Sequence, residues 1–113
     1  MLIPNADRAT IDPAKLRDYL LSPTHPIGRF KARFFNALGF TPDRWEELAE
    51  ALRRQHLTQE GQAAGLIAQG RKFTVRAILS GPTGQSALVI SVWFIPAGGE
   101  VPRFVTEYPG EGL

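Results

Sequence analysis

The chain contains no cysteine. That excludes disulfides, thiolate zinc sites and a cysteine nucleophile together, and it fits either a reducing compartment or no redox demand. Long hydrophobic runs are missing as well: nothing approaches the ~20 residues of a membrane span. The N-terminus also lacks the basic start, apolar run and small-residue cleavage site of a secretory leader. The expectation is a soluble, cytoplasmic protein with no membrane contact. Histidine is scarce: His25 and His56 lie far apart with no supporting carboxylate spacing, so no metal site is expected. Phosphate-loop and dinucleotide glycine fingerprints are absent, as is a Gly-x-Ser-x-Gly elbow, and Gly81-Pro82-Thr83-Gly84 reads as a turn between strands. No cofactor is expected.

What is present describes one small domain. A chain of 113 residues can bury a single core but cannot hold separate cofactor and substrate domains. With 43% hydrophobic and 21% charged residues and no low-complexity tract, it should fold alone. The net charge of +2 and a pI near 9.4 lean basic, and the placement of the cations matters more than their sum.

Helices come first and strands follow. Asp12-Pro13 is a helix start, with a capping carboxylate and proline at the first helical position, and the pattern runs from Ala14 to Leu21 until Pro23 forbids continuation. A second helix is expected from Arg29 to Leu38, stopped by Gly39. A third opens at Thr41-Pro42-Asp43 and runs to about His56 with Trp45, Leu48, Ala49 and Leu52 at helical spacing. The period then changes to alternation. Arg71 to Ser80 sets Phe73, Val75, Ala77 and Leu79 on one face, and Gln85 to Ile95 separates Leu88, Ile90, Val92 and Phe94 from Val89, Ser91 and Trp93. Arg103 to Tyr108 is a last short strand, and a weaker one lies around Ala64 to Gln69. The fold class is α+β, with three N-terminal helices packed on one face of a three- to four-stranded antiparallel sheet, a helical half over 12–56 and a sheet half over 63–109.

Lys31 stands out because a turn of about 100° per residue puts it inside the apolar stripe expected of Phe30, Phe34, Phe35 and Leu38. A desolvated ammonium without a partner costs several kcal/mol, so this lysine snorkels along its stem, pairs with a carboxylate, or faces an anion. Immediately upstream, Ser22-Pro23-Thr24-His25-Pro26-Ile27-Gly28 is a stiff, turn-forming stretch that delivers His25 next to a helix start flanked by Arg29 and Arg33. Histidine, lysine and two arginines close in sequence are the vocabulary of phosphate handling.

The segments Lys15-Leu16-Arg17-Asp18-Tyr19-Leu20-Leu21, His25-Pro26-Ile27-Gly28-Arg29-Phe30-Lys31-Ala32-Arg33-Phe34-Phe35, Leu38-Gly39-Phe40, Gly81-Pro82-Thr83-Gly84, Val92-Trp93 and Val105-Thr106-Glu107-Tyr108-Pro109 span nearly the whole chain. Together they resemble a bacterial family catalogued as a domain of unknown function. Its members occur as stand-alone proteins and as terminal domains of polymorphic-toxin-like proteins, which implies a toxin. The layout is also similar to the metal-independent ribonucleases typified by barnase, EndoU, colicin D and RelE, whose helices precede a small sheet with the RNA site on its face.

Metal-free RNA cleavage needs a group to take the 2'-hydroxyl proton, a group to protonate the leaving 5'-oxygen, and cations for the charge growing on phosphorus. His25 is the natural acid or base. Lys31 with Arg29 or Arg33 would hold the phosphate, and Thr106 and Tyr108 share a face of the last strand. Lys72 extends the basic footprint, and Ser91 and Trp93 share a face that could line the same surface. Each has a duller rival: His25 as a turn cap, Trp93 as core, Thr106 and Tyr108 as ordinary strand formers, and His56 at a helix C-terminus placed there by the dipole. The expectation is a toxin-like ribonuclease that forms a 2',3'-cyclic phosphate and is neutralised by a small acidic antitoxin or immunity protein. The alternative is a non-catalytic protein- or RNA-binding module.

Overall fold

In the computed structural model, which describes residues 1–110, the Asp12 carboxylate accepts the Ala14 N–H at 3.0 Å and opens helix α1 (Pro13–Lys15), which continues as a wider π turn over Leu16–Leu20. Helix α2 is Arg29–Ala37, and Gly39, at φ 101°, ends its last turn by donating to the Asn36 carbonyl. A 3-10 turn at Pro42–Arg44 leads into α3 (Trp45–Ala51), again widened at its end over Leu52–His56. Four strands follow: β1 (Gly61–Ile67), β2 (Gly70–Ser80), β3 (Ser86–Pro96) and β4 (Arg103–Pro109). They form an antiparallel meander in the order β1-β2-β3-β4. The chain is thus α+β, with its three helices ahead of a four-stranded sheet.

Alternation decides which face is covered. Val75 and Leu79 from β2, Val89, Trp93 and Ile95 from β3, and Phe104 from β4 enter one core with Leu16, Leu20, Phe35, Leu48 and Leu52 from the helices. The opposite face carries Lys72, Thr74 and Arg76, then Ile90, Val92 and Phe94, then Arg103, Thr106 and Tyr108. Between Phe104 and Thr106 the register slips against Val92 and Trp93, so Val105 is an extra residue. This bulge keeps Phe104 facing Trp93 while Glu107 falls opposite Ser91, on the core side.

Two expectations about the fold are corrected. The first strand starts at Gly61 rather than Ala64, because Gly61 is pinned by its N–H bond to the Met1 carbonyl. The apolar stripe of α2 holds Phe35 and Leu38, with Phe34 half-buried against them and Ala32 added, but Phe30 is 71% exposed. Phe30 lies roughly 140–160° round the helix from Ala32 and Phe35, and the Arg29 guanidinium lies over its ring at 4.5 Å. The N-terminal segment, which has no periodicity to read, buries Ile3, Ala6 and Ala9 and pairs Thr10 with Arg103 along the outer edge of β4.

Candidate functional site

Lys31 is where the sequence pointed, for a reason partly of the backbone's making. Gly28 has an ordinary helical φ of −63°, so no left-handed turn requires glycine there. What requires it is space: a Cβ at Gly28 would sit 2.1 Å from the Tyr19 carbonyl oxygen. The close approach seats α2 against the Leu16–Leu20 turn and brings Lys31, one helical turn on, beside Tyr19. Gly28→Ala is expected to force the two segments apart and cost about 1–3 kcal/mol, read as a lowered urea midpoint with unchanged slope.

The Lys31 ammonium donates to Thr106 Oγ1 at 3.0 Å and lies 5.6 Å from the Tyr19 ring centre and 6.0 Å from that of Tyr108. Among the described residues no carboxylate forms an ion pair with it. A cation held by one hydroxyl and two ring faces has most of its charge left for a ligand. Thr106 and Tyr108 do share a face, pairing with Val92 and Ile90 of β3.

His25 stands next to this group, its ring edge-on to Tyr19 at 5.0 Å. Its Nδ1 accepts the N–H groups of Ile27 (3.0 Å) and Gly28 (2.9 Å), its carbonyl accepts the Arg29 N–H at 3.1 Å, and Pro26 takes the first position of the turn. This caps the turn that leads into α2, with imidazole in place of the usual short polar side chain. It also fixes the tautomer: in the neutral ring the proton is on Nε2, which is left as a donor. His25→Ala is expected to cost about 1 kcal/mol in urea denaturation, and His25→Asn to recover most of it.

Ser91 and Trp93 are placed in the core, both fully buried, so neither lines a surface. The Trp93 indole N–H donates to Ser91 Oγ at 2.9 Å, and the same hydroxyl meets His56 Nδ1 at 2.8 Å. His56 does stand at the helix C-terminus, but as a buried, hydrogen-bonded side chain rather than a cation set there by the dipole. Burial pulls its pKa down to about 4, with the Ala77 backbone offsetting this in part. Beside Ser91 on the next strand, Glu107 is fully buried, and neither carboxylate oxygen has a hydrogen-bond partner. Burial pushes its pKa up to about 8 against the pull of the Lys31 charge, so it is protonated at neutral pH. Sequence reading passed over Glu107, although a lone glutamate at a core-facing strand position was the available signal once the bulge was known.

Arg29 and Arg33 are separated from Lys31. They lie on the exposed side of α2, where they line a shallow cleft of about 520 Å³ with Pro23, Phe30 and Asn36. Residues two apart on a helix do not share a face. Lys72 is on the open sheet face, paired across β3 with Phe94 and beyond it Arg103. No group of three or more histidine or acidic side chains among the described residues could hold a metal ion, and no helix there is long and apolar enough to cross a membrane.

The sequence profile of a family described as a domain of unknown function (DUF6883) matches residues 2–111. None of the curated proteins matches the sequence. Among solved structures, a chain of the contact-dependent growth inhibition toxin–immunity protein complex from Klebsiella pneumoniae 342 superposes with a TM-score of 0.58, covering 89% of this chain and 99% of that chain at 17% identity. Likeness at that identity shows a shared fold.

Proposed function

Because the chain belongs to the DUF6883 family and shares its fold with a chain of a toxin–immunity complex, we propose that it is a toxin-like, metal-independent ribonuclease acting through a 2',3'-cyclic phosphate. The observation that carries this reading is the Lys31 ammonium, fixed by Thr106 and framed by Tyr19 and Tyr108 with no ion-paired carboxylate among the described residues, at the rim of an open sheet face with further cations. In that arrangement Lys31 and Thr106 stabilise the non-bridging oxygens as the 2'-oxygen, its proton passing to solvent water, attacks phosphorus and the bond to the 5'-oxygen breaks. Tyr108, beside them, is the hydroxyl that protonates the leaving 5'-oxygen. His25 serves differently from a shuttling histidine: with Nδ1 committed to two N–H donors, it meets the phosphate as an Nε2–H donor. Lys72 holds a neighbouring phosphate, and Arg29 and Arg33, one helix face away, add attraction at longer range.

An enzyme of this kind is toxic to its own cell unless covered. The basic face therefore implies a small acidic antitoxin or immunity protein as partner. A second reading, a non-catalytic binding module, draws on β1, an edge strand with no charged residue that ends in Leu66 (79% exposed) and Ile67 (59%). Purified protein incubated with total bacterial RNA in EDTA separates the two. Discrete fragments ending in cyclic phosphate, lost in Lys31→Met, support the ribonuclease, and RNA left intact at high protein excess favours the binding module.

A further inference from the structure

We infer that the open sheet face carries a second nucleotide subsite, built from Lys15, Lys72, Phe94 and Arg103, which commits the substrate to single-stranded RNA; this rests on the ribonuclease reading above. The four residues line one cleft of about 720 Å³ between the end of α1, the β1–β2 turn and the start of β4. They come from different parts of the chain. Lys72, Phe94 and Arg103 form one cross-strand row on adjacent strands. Lys15 reaches them because its ammonium bonds the carbonyl of Val105, the extra residue of the bulge, at 3.4 Å. Among the described residues none of the three cations forms an ion pair, and the one carboxylate on the cleft, Asp12, is engaged in capping α1. Three cations against the single carboxylate of Asp12 leave the cleft net positive, which favours an anionic ligand.

The chemistry of the row narrows the ligand to a nucleotide chain. Phe94 lies between two cations, with the Arg103 guanidinium 5.6 Å from its ring centre, so a base and its phosphate find a π face and positive charge side by side. The row also has the right neighbour. Phe94 and Val92, which pair with Arg103 and Thr106, are two residues apart on β3, so this row lies roughly 7 Å from the Thr106 row that receives Lys31. A chain crossing from one row to the other must be extended, with bases free to turn onto the sheet. A duplex, with its bases stacked inside, offers Phe94 nothing.

The test uses uncleavable 2'-O-methyl oligonucleotides, a dinucleotide and a hexanucleotide, with binding followed by fluorescence anisotropy across a salt titration. The wild type should bind the hexamer at least about ten-fold more tightly than the dimer. In Lys72→Gln/Arg103→Gln that advantage should vanish, and the slope of log affinity against log salt should fall by about 1.4, two single-strand phosphate contacts. Phe94→Leu should weaken the hexamer about ten-fold with the salt slope kept, its melting temperature verifying the fold. A hexamer advantage that survives the double substitution overturns the subsite, as does a matched duplex that outcompetes the single strand. Length- and charge-dependent binding without cleavage of unmodified RNA keeps the subsite and removes the nuclease. A wild type that binds no oligonucleotide overturns the subsite and leaves the face to a protein partner.

Discussion

Lys31→Met is expected to reduce RNA cleavage by about 10²- to 10³-fold, the loss that follows removal of one fixed charge-stabilising group from a transition state, while the melting temperature stays level or rises. The stability half of this expectation comes from comparing magnitudes. In the free protein the ammonium is held by one hydrogen bond to Thr106 Oγ1, worth about 1 kcal/mol, and by two ring faces at 5.6 and 6.0 Å, worth about 0.5–2 kcal/mol between them. Lys31 is only half-buried, so the cost of its partial desolvation is of the same order as these gains. The ammonium then contributes little net stability to the empty protein, and methionine keeps the unbranched stem while shedding the charge. Thr106 is only half-buried, so its hydroxyl exchanges Lys31 for water. Glu107 is neutral at this pH and loses no counter-ion. Steady-state cleavage beside a thermal melt decides the matter. A variant that cleaves normally but melts many degrees lower would make Lys31 a structural residue.

Lys31 also marks how far the sequence can be read. Its place on the buried side of α2 followed from helical spacing alone, because a 3.6-residue period depends on nothing distant. Of the stripe expected around it, Phe35 and Leu38 are in the core and Phe34 packs against them, whereas Phe30 is on the exposed side and Gly28 with Ala32 takes the inner positions. Small residues carry little hydrophobic signal, yet here they are what allows the helix to approach Tyr19. The strands were legible because alternation is equally local, and the pairing of Thr106 with Tyr108 followed from it. What stayed hidden was non-local. A bulge at Val105 shifts the parity of everything after it, so Glu107 turns to the core and its role could not be read from β4 alone. Likewise, alternation separates Ser91 and Trp93 from Phe94 and Val92 but does not say which set the helices cover. The cleft at Lys15 needed α1, β2, β3 and β4 to be assembled before its residues met.

The two buried titratable groups should shape the stability of the fold against pH in opposite directions. Glu107 has a folded pKa near 8 against an ordinary 4.5, so between those values the folded state holds a proton that the unfolded chain has released. Its contribution is fully present below about 4.5 and is lost as pH rises toward 8. His56 runs the other way. Its folded pKa near 4 lies below the ordinary 6.5, so its contribution is present above about 6.5 and is lost as pH falls toward 4. Each contributes a slope of about 1.4 kcal/mol per pH unit with opposite sign. Where the windows overlap, from about 4.5 to 6.5, the slopes cancel and these two groups give a plateau. Above it only Glu107 still titrates, and stability should fall by roughly 2 kcal/mol between pH 6.5 and 8. Glu107→Gln keeps the shape and cannot ionise. In that variant the alkaline decline should disappear, and the plateau should become a rise of about 2–3 kcal/mol from pH 4.5 to 6.5, carried by His56 alone. Urea midpoints taken at half-unit pH steps on both proteins give the two curves. A wild-type profile that rises through pH 8 would mean that Glu107 meets a charge partner when folded and is not the neutral buried acid the geometry describes, and a Gln variant with the same alkaline decline would assign that decline to another group.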